Sequence, residues 1–364
     1  MASNIAIFID SLGGGGAESV MLTLARGMSQ QGHNVHFFLL EPRIEYKPES
    51  NISVHVLYQG LSHRKSTKWP RINKTANDMI SLVKNVESDI GTFSLHLVNL
   101  DPSSKVIAKC HFKNTYFVLH NAMAQELKRE AKLGPIKYLR KRLAKNVYNH
   151  KDIIAVSKGV AEEALSNKLI TPNSVKQIYN PVDFEKIREL ARINDSEIPS
   201  CDYLIHAGRV VKQKRHDVLF QALSQVPDIK LVLLCKYVDK AKSLAKKYNV
   251  QDRIITPGFQ GNPYNWIKNA KALVSSSDFE GLGMNLIDSL ICDTPVVSTD
   301  CDYGPREILL NQQSTFLVPT NSPTELAEKI KLVLTSPPKI DISELEHAFS
   351  IDHVVSNYLS LIKQ

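Results

Sequence analysis

The chain is poor in the features that define several large protein classes. Its five cysteines (Cys110, Cys201, Cys235, Cys292 and Cys301) are odd in number, scattered, and form no CxxC. That excludes a disulfide-stapled fold and a structural zinc site, and points to a reducing compartment. No apolar run approaches the ~20 residues that a membrane-spanning helix needs. Residues 1–9 are apolar and strand-like, without a basic flank or small-residue cleavage site, so they do not read as a signal peptide. Glycine (16 residues), proline (17) and aromatic residues (7%) are at ordinary levels, which excludes collagen, coiled coil and disorder. The 43% hydrophobic content can fill a large core. At roughly 150 residues per domain, this length suggests two domains.

The formal net charge is +8, and the excess sits in one half. Residues 1–197 hold 27 Lys and Arg against 19 Asp and Glu, whereas residues 198–364 hold 18 against 18. One basic run covers 63–74 around Trp69. The other, 128–145, carries Lys128, Arg129, Lys132, Lys137, Arg140, Lys141, Arg142 and Lys145. Within it Ile136, Leu139, Leu143 and Val147 fall at helical spacing, with the cations expected mostly on the opposite face. Two readings stand: a surface for anionic headgroups or other polyanions, or a solvated helix whose apolar stripe packs on its own domain. Concentration of the charge in one half favours a partner.

Short apolar segments at 5–9, 35–40, 52–57, 93–98, 115–119 and 152–156 read as strands, with helical pattern between them, most clearly over 73–86. The polar stretch 193–200 interrupts the rhythm. The cycle then restarts with strands at 203–206, 230–234, 253–255, 272–274, 295–298 and 315–318. Alternating strands and helices imply parallel sheets covered on both faces. The expected domains are 1–195, joined by a C-terminal helix within 350–364, and 196–349. Ligands of doubly wound sheets bind at the carboxyl ends of the strands, which places the expected site in a cleft between the two domains.

Three clusters sit at such strand ends. Gly13-Gly14-Gly15-Gly16-Ala17-Glu18 follows the first strand and opens a helix, so bare backbone amides can meet a phosphate or a sugar ring. Gly208-Arg209 with Lys214 follows the first strand of the second half, where a planar fork and a point charge suit a diphosphate. Glu280-Gly281-Leu282-Gly283-Met284-Asn285, with Asp288 on the ensuing helix, combines helix-start amides with two carboxylates able to accept from sugar and ribose hydroxyls. Each cluster also has a plain alternative: an unliganded turn, surface cations, or capping acids.

In order and spacing, these clusters resemble the retaining glycosyltransferases of family 4, as do Ser157-Lys158-Gly159, Asn180-Pro181-Val182-Asp183 and Asp293-Thr294-Pro295-Val296-Val297. The resemblance covers nearly the whole chain and implies the GT-B fold: α/β, with two Rossmann-like doubly wound domains facing each other across a cleft. It implies that Arg209 and Lys214 bind the donor diphosphate, Glu280 the donor sugar, Asp288 the ribose, and the Gly283, Met284 and Asn285 amides the distal phosphate. His120 matches the family's histidine near the reaction centre, and Gly14 and Gly15 admit the β-phosphate and the acceptor. Two positions depart from the family pattern: Asp288 stands where Glu is usual, and Arg215 where Gly is frequent. Cys301-Asp302-Tyr303-Gly304-Pro305-Arg306-Glu307-Ile308 is similar to the lipopolysaccharide-core hexosyltransferase branch.

The activity implied is retaining, metal-independent transfer of a hexose from a UDP-sugar to a lipid-linked saccharide. No metal or other cofactor is expected, and Asp300-Cys301-Asp302 reads as structural. The expected pathway is lipopolysaccharide or lipooligosaccharide synthesis, with capsular or other surface polysaccharide as the alternative. The implied location is cytoplasmic, peripheral on the inner face of the cytoplasmic membrane, with the basic first half toward anionic lipid. A UDP-sugar 2-epimerase shares the fold, but the order Gly-Arg, Lys, Glu, Asp fits transferases better. Nucleic acid as partner leaves the glycine loops and paired acids of the neutral half unexplained.

Overall fold

A computed structural model describes residues 2–60, 67–68, 70–131, 133–166, 168–226 and 228–362. The chain forms two compact units, Met1–Val182 with Ala348–Gln364, and Asp183–His347. In the first, β1 (Asn4–Ile9), β2 (Asn34–Leu39), β3 (Ser53–Val56), β4 (Leu95–Asn99), β5 (Thr115–Leu119), β6 (Asp152–Ala155) and β7 (Ser174–Gln177) form one sheet, ordered β3-β2-β1-β4-β5-β6-β7. Its described helices are α1 (Gly16–Gln30), α2 (Arg71–Ile90), α3 (Asp101–Ile107), α4 (Met123–Ala131), α5 (Pro135–Lys145) and α6 (Lys158–Ser166). In the second, β8 (Tyr203–Ala207), β9 (Lys230–Leu234), β10 (Ile254–Gly258), β11 (Ala272–Ser275), β12 (Val296–Thr299) and β13 (Leu317–Val318) are ordered β10-β9-β8-β11-β12-β13. Its helices are α7 (Phe184–Ala191), α8 (His216–Ser224), α9 (Val238–Lys246), α10 (Tyr264–Lys268), α11 (Met284–Ile291), α12 (Pro305–Ile308), α13 (Pro323–Thr335) and α14 (Ser343–Phe349). The last helix, α15 (Ile351–Leu359), returns to the first unit.

All strand pairs are parallel. Both sheets are doubly wound, and each reverses its winding beside its first strand, at β1/β4 and at β8/β11. Every strand expected from the sequence is present, with ends displaced by a few residues. The edge strand β7 was not foreseen, because Ser-Val-Lys-Gln carries no run of buried residues. The division between units falls ahead of the polar stretch 193–200, since α7 packs on α10 and α11. Gly27 on α1 makes room for α15: a Cβ there would lie 2.3 Å from Ile351 Cγ2.

One face of the first sheet carries a ladder of rings across its strands. Phe112, His96, Phe8, Phe38 and His55 follow one another at centroid spacings of 5.0, 6.0, 5.1 and 4.9 Å. The histidines serve here as flat, neutral hydrophobes, and burial pushes His96 down to about 4.

Of the two readings of the basic run 128–145, the one that packs the apolar stripe on its own unit fails, and not all of its cations face outward. Ile136, Leu139 and Leu143 on α5 are 83%, 56% and 57% exposed, so the apolar stripe does not pack on its own unit. Lys141 and Lys145 point inward instead. Lys141 Nζ lies 2.8 Å from both Asp101 and Glu126, and Lys145 Nζ lies 3.2 and 2.8 Å from the same two carboxylates. Tyr148 donates to Asp101 at 2.8 Å. Burial opposes the charge on Asp101, but the two ammonium groups and Tyr148 overcome it and hold the carboxyl well below its usual range. Of the other basic run, residues 63–66 and Trp69 lie outside the described residues, as does Lys132.

Buried neutral histidines predict a fold that loses stability in acid. His96 and His206 are held down to about 4 and His216 to about 3, chiefly by burial. Above an unfolded-state value of about 6.5 neither state binds the proton; between there and about 4 only the unfolded chain does. Unfolding free energy should therefore fall on acidification through that window, by up to about 1.4 kcal/mol per pH unit for each histidine. Denaturant melts at stepped pH test this, and His96→Phe should flatten the slope. An unchanged slope in that variant would remove His96 as a cause.

Candidate active site

At β8/β11 the two neighbouring strands send their loops in opposite directions, leaving a crevice at their carboxyl ends. The loop after β8 carries Gly208, Arg209 and Lys214. The loop after β11 carries Glu280 and leads into α11. The fold thus brings the second and third sequence clusters together, and direct bonds lace them. Asp278 N donates to the Gln213 carbonyl (2.9 Å), Gln213 Nε2 to the Phe279 carbonyl (2.8 Å), and Ser276 Oγ to the Lys214 carbonyl (2.7 Å).

On this frame Lys214 Nζ lies 2.6 Å from Glu280 Oε1, and both side chains are largely buried. Arg209 is exposed, and no described residue pairs with it. One cation is therefore aimed by a carboxylate and the other stands open, as a diphosphate beside a polyhydroxylated ring would require. Asn285 Nδ2 reaches the Ala207 carbonyl at 3.4 Å, tying the start of α11 to the end of β8. Gly283, in the left-handed region at φ +94°, lets the chain turn sharply into α11. Asp288 lies on that helix. Its carboxyl receives no bond from a described residue, and the surrounding protein pushes it up to about 7 even though part of its surface meets solvent.

The structure accounts for Arg215, the departure from the family's glycine. Its φ is +45°, so the left-handed backbone is kept without the glycine. The side chain is spent elsewhere: Nη1 donates to Asp278 (2.7 Å), Nε to Asp217 (3.0 Å) and Nη2 to Asn321 (2.7 Å). Arg215 braces the loop and is not a free cation for phosphate.

A second loop supports Glu280 from below. Phe279 bridges Asp302, and Glu280 N approaches the Asp302 carbonyl at 3.4 Å. Gly304, at φ +104°, lies against the Leu282 backbone, where a Cβ would sit 1.9 Å from the Leu282 oxygen. Asp300 pairs with Arg306 (2.6 Å). Among the described residues no group of three or more His, Cys, Asp or Glu side chains is placed to hold a metal ion.

Gly14, Gly15 and His120 belong to the first unit: the glycines follow β1 at its own β1/β4 reversal, and His120 follows β5, the strand beside β4. Gly14 has φ +85°, and Gly15 precedes α1 in extended conformation. Carboxylates stand over both: a Cβ on Gly14 would lie 2.6 Å from Glu45 Oε2, and one on Gly15 2.3 Å from Glu18 Oε2. Glu45 is itself paired with Arg43, whose Nη2 donates to the Gly13 carbonyl at 3.2 Å, so the glycine turn is lined by charge of both signs. His120 Nε2 lies 2.8 Å from Asn99 Oδ1, while Asn99 Nδ2 donates to the Phe8 carbonyl at 3.4 Å. Burial holds His120 down to about 4, so the ring is neutral. Since Asn99 Oδ1 only accepts, Nε2 carries the proton and Nδ1 keeps its lone pair.

Sequence reasoning missed Asn99, which is fully buried and joins the ends of β1, β4 and β5. It also missed Glu163, whose carboxylate accepts from Met123 N (2.8 Å) and Ala124 N (2.7 Å) and so fixes the turn after His120. The faint signals are a polar residue closing an apolar strand and an acid on an otherwise apolar helix face.

A family model described as Glycosyl transferases group 1 matches residues 191–350, and one described as Glycosyltransferase Family 4 matches residues 14–186. The two matches together span most of the chain, and the chain belongs to the family 4, group 1 glycosyltransferases. It is 29% identical over 336 residues, covering 91% of this chain and 90% of the other, to the N-acetylgalactosamine-N,N'-diacetylbacillosaminyl-diphospho-undecaprenol 4-alpha-N-acetylgalactosaminyltransferase of Campylobacter jejuni. It is 30% identical over 170 residues to a lipopolysaccharide 1,6-galactosyltransferase of Escherichia coli (strain K12), covering 43% of this chain and 45% of that one. An Anabaena protein solved in complex with UDP and glucose superposes with a TM-score of 0.66 at 17% identity, over 99% of this chain and 96% of that one. The fold is GT-B, and the chain is a glycosyltransferase.

Gly304 and Gly258 supply a paired test of how the site loop is held. Both have positive φ, but a Cβ on Gly258 meets nothing within 4 Å. Gly258→Ala is expected to cost only the left-handed penalty, about 1–2 kcal/mol. Gly304→Ala should cost a further ~1–3 kcal/mol, because backbone must move. Equal losses in urea melts would mean the Gly304–Leu282 approach is not a constraint.

Proposed function

We propose that the protein is a retaining glycosyltransferase that moves a hexose from a UDP-sugar to a saccharide on a lipid carrier, in lipopolysaccharide or lipooligosaccharide assembly. The observation that carries this reading is the Lys214–Glu280 pair beside the unpaired Arg209 at the β8/β11 reversal. Arg209 and Lys214 take the diphosphate, and Glu280 accepts from donor sugar hydroxyls. Asp288 accepts from the ribose, and the Gly283, Met284 and Asn285 amides face the distal phosphate. In the first unit, Gly14 and Gly15 admit the β-phosphate and the acceptor, and His120 presents a neutral ring near the reacting sugar. The UDP assignment draws on the UDP-bound Anabaena neighbour, and the lipid-linked acceptor on the Campylobacter jejuni relative. The site lies at the inner face of the cytoplasmic membrane, with the basic first unit toward anionic lipid.

Transfer breaks the bond from the anomeric carbon to the diphosphate and passes through an oxocarbenium-like state. Catalysis requires leaving-group charge to be stabilised more in that state than in the donor. Arg209, Lys214 and the α11 amides supply that stabilisation without a metal. The departing phosphate takes the proton of the incoming hydroxyl on the same face, so configuration is retained.

Thermal shift with UDP, GDP, ADP and a panel of UDP-hexoses, in EDTA, tests donor and site together. A ligand at about 100 times its Kd stabilises by about 2.7 kcal/mol. UDP should still shift Glu280→Ala, with a size altered by the loss of the partner that aims Lys214, while the additional shift from one UDP-hexose should vanish in Glu280→Ala. No response to any nucleotide would overturn the assignment.

Asp288 adds a pH signature. With its carboxyl pushed up to about 7, it is ionised, and a strong acceptor, only above neutrality. UDP-sugar affinity should therefore weaken as pH falls through about 7, and Asp288→Asn should be weak and flat across that range. A UDP-sugar is the proper probe, since its diphosphate diester does not titrate there. Wild-type affinity that stays constant from pH 8 to 6 would take Asp288 out of the ribose site.

A further inference from the structure

Between Asn99, which holds His120, and Asp101, which anchors the buried ion cluster, lies Leu100 at φ +68° and ψ 153°. That combination suits glycine and is strained for a branched side chain. Among the described non-glycine residues of positive φ, Leu100 is the only aliphatic one. Such a residue persists only where its neighbours over-determine it. On one side Asn99 is fully buried, with Nδ2 on the Phe8 carbonyl (3.4 Å) and Oδ1 accepting from His120 Nε2 (2.8 Å). The Leu100 carbonyl itself accepts from Ser104 N (3.0 Å) and Ser104 Oγ (2.8 Å). On the other side Asp101 accepts from Lys141 (2.8 Å), Lys145 (3.2 Å) and Tyr148 (2.8 Å). Lys145 is almost wholly buried, and to serve Asp101 and Glu126 helix α5 leaves Ile136, Leu139 and Leu143 in solvent. Buried ion pairs add little stability over an apolar core, so a cluster kept at that cost points to a role in position. Relaxation of Leu100 to negative φ would turn Asp101 relative to Asn99, and the three donors on Asp101 oppose that turn.

We propose that Lys145, with Lys141 and Tyr148, is a positioning residue for His120: the cluster clamps Asp101, the clamp keeps Leu100 in its strained turn, and the turn holds Asn99 Oδ1 against His120 Nε2. Lys145 Nζ bonds to Asp101 and Glu126, so it acts on the histidine through the backbone and not by contact. What the clamp preserves is one tautomer, with the proton on Nε2 and the Nδ1 lone pair free to meet a ligand. The proposal deepens the reading of His120 as a group near the reacting sugar and rests on that reading for its bearing on transfer.

Nitrogen NMR of the histidine side chains in the full chain at neutral pH reads the tautomer directly, with the His120 signals assigned by their loss in His120→Ala. Wild-type His120 should show the Nε2–H form alone, and Lys145→Met a mixture of both forms. Tyr148→Phe removes one donor to Asp101 and leaves both ammonium groups, so it should shift the ring the same way by less, and it stands in if Lys145→Met fails to fold. Leu100→Gly takes up the turn without strain. It should keep the single tautomer and restore it when combined with Lys145→Met or Tyr148→Phe. Hydrolytic UDP release from the UDP-hexose that binds in the thermal-shift panel supplies the second readout. There Lys145→Met should lower kcat roughly tenfold with KM unchanged, and should cost nothing further in a His120→Ala background. An unchanged tautomer in Lys145→Met and Tyr148→Phe, or a mixture that Leu100→Gly does not restore, overturns the proposal. A His120→Ala variant that releases UDP at the wild-type rate would instead overturn the placement of His120 near the reacting sugar, whatever the tautomer shows.

Discussion

The reversal of winding beside the first strand of each sheet is the constraint on which the rest depends. Parallel strands point their carboxyl ends the same way, and where neighbouring connections diverge the backbone cannot close over that edge. At β8/β11 this opens a crevice whose two walls are the loops carrying Arg209 and Lys214 on one side and Glu280 on the other. The Lys214–Glu280 pair then does two things. It holds two charged side chains in a largely buried place where neither would be stable alone, and it keeps both at the mouth of the crevice where a ligand's phosphate and hydroxyls would meet them.

Precision at that edge comes from backbone. Asp278 and Ser276 bond to the opposite loop, Gly304 presses on Leu282, and Arg215 holds a left-handed turn through three side-chain partners. Families that place glycine in such a turn avoid strain; here the strain of φ +45° is offset by the contacts that the arginine side chain makes. A substitution that looks like an added phosphate-binding cation is instead a brace.

Much of this was legible in the sequence, for physical reasons. Buried parallel strands read as short apolar runs, and residues at their ends fall at strand-end positions whatever the rest of the chain does. Arg209, Lys214, Glu280 and Asp288 could be placed that way. Asn99 and Glu163 could not, since their importance lies in bonds to backbone far along the chain, to Phe8 and to Met123 and Ala124. For helix α5 periodicity left two readings open, because the usual rule assigns an apolar stripe to the core. That rule fails when distant carboxylates, here Asp101 and Glu126, claim the opposite face. The edge strand β7 escaped because an exposed, half-polar strand has no hydrophobic signature.

The return of α15 to the first unit has a consequence for how the protein is made. Gly27 exists as a seat for Ile351, yet the whole second unit is translated between the two. As the chain leaves the ribosome, the first sheet can pair its strands while the groove on α1 stays open. That apolar groove is closed only when α15 emerges. The first unit thus starts to form before the second is made and is completed only after it, and it carries an unsatisfied surface in between.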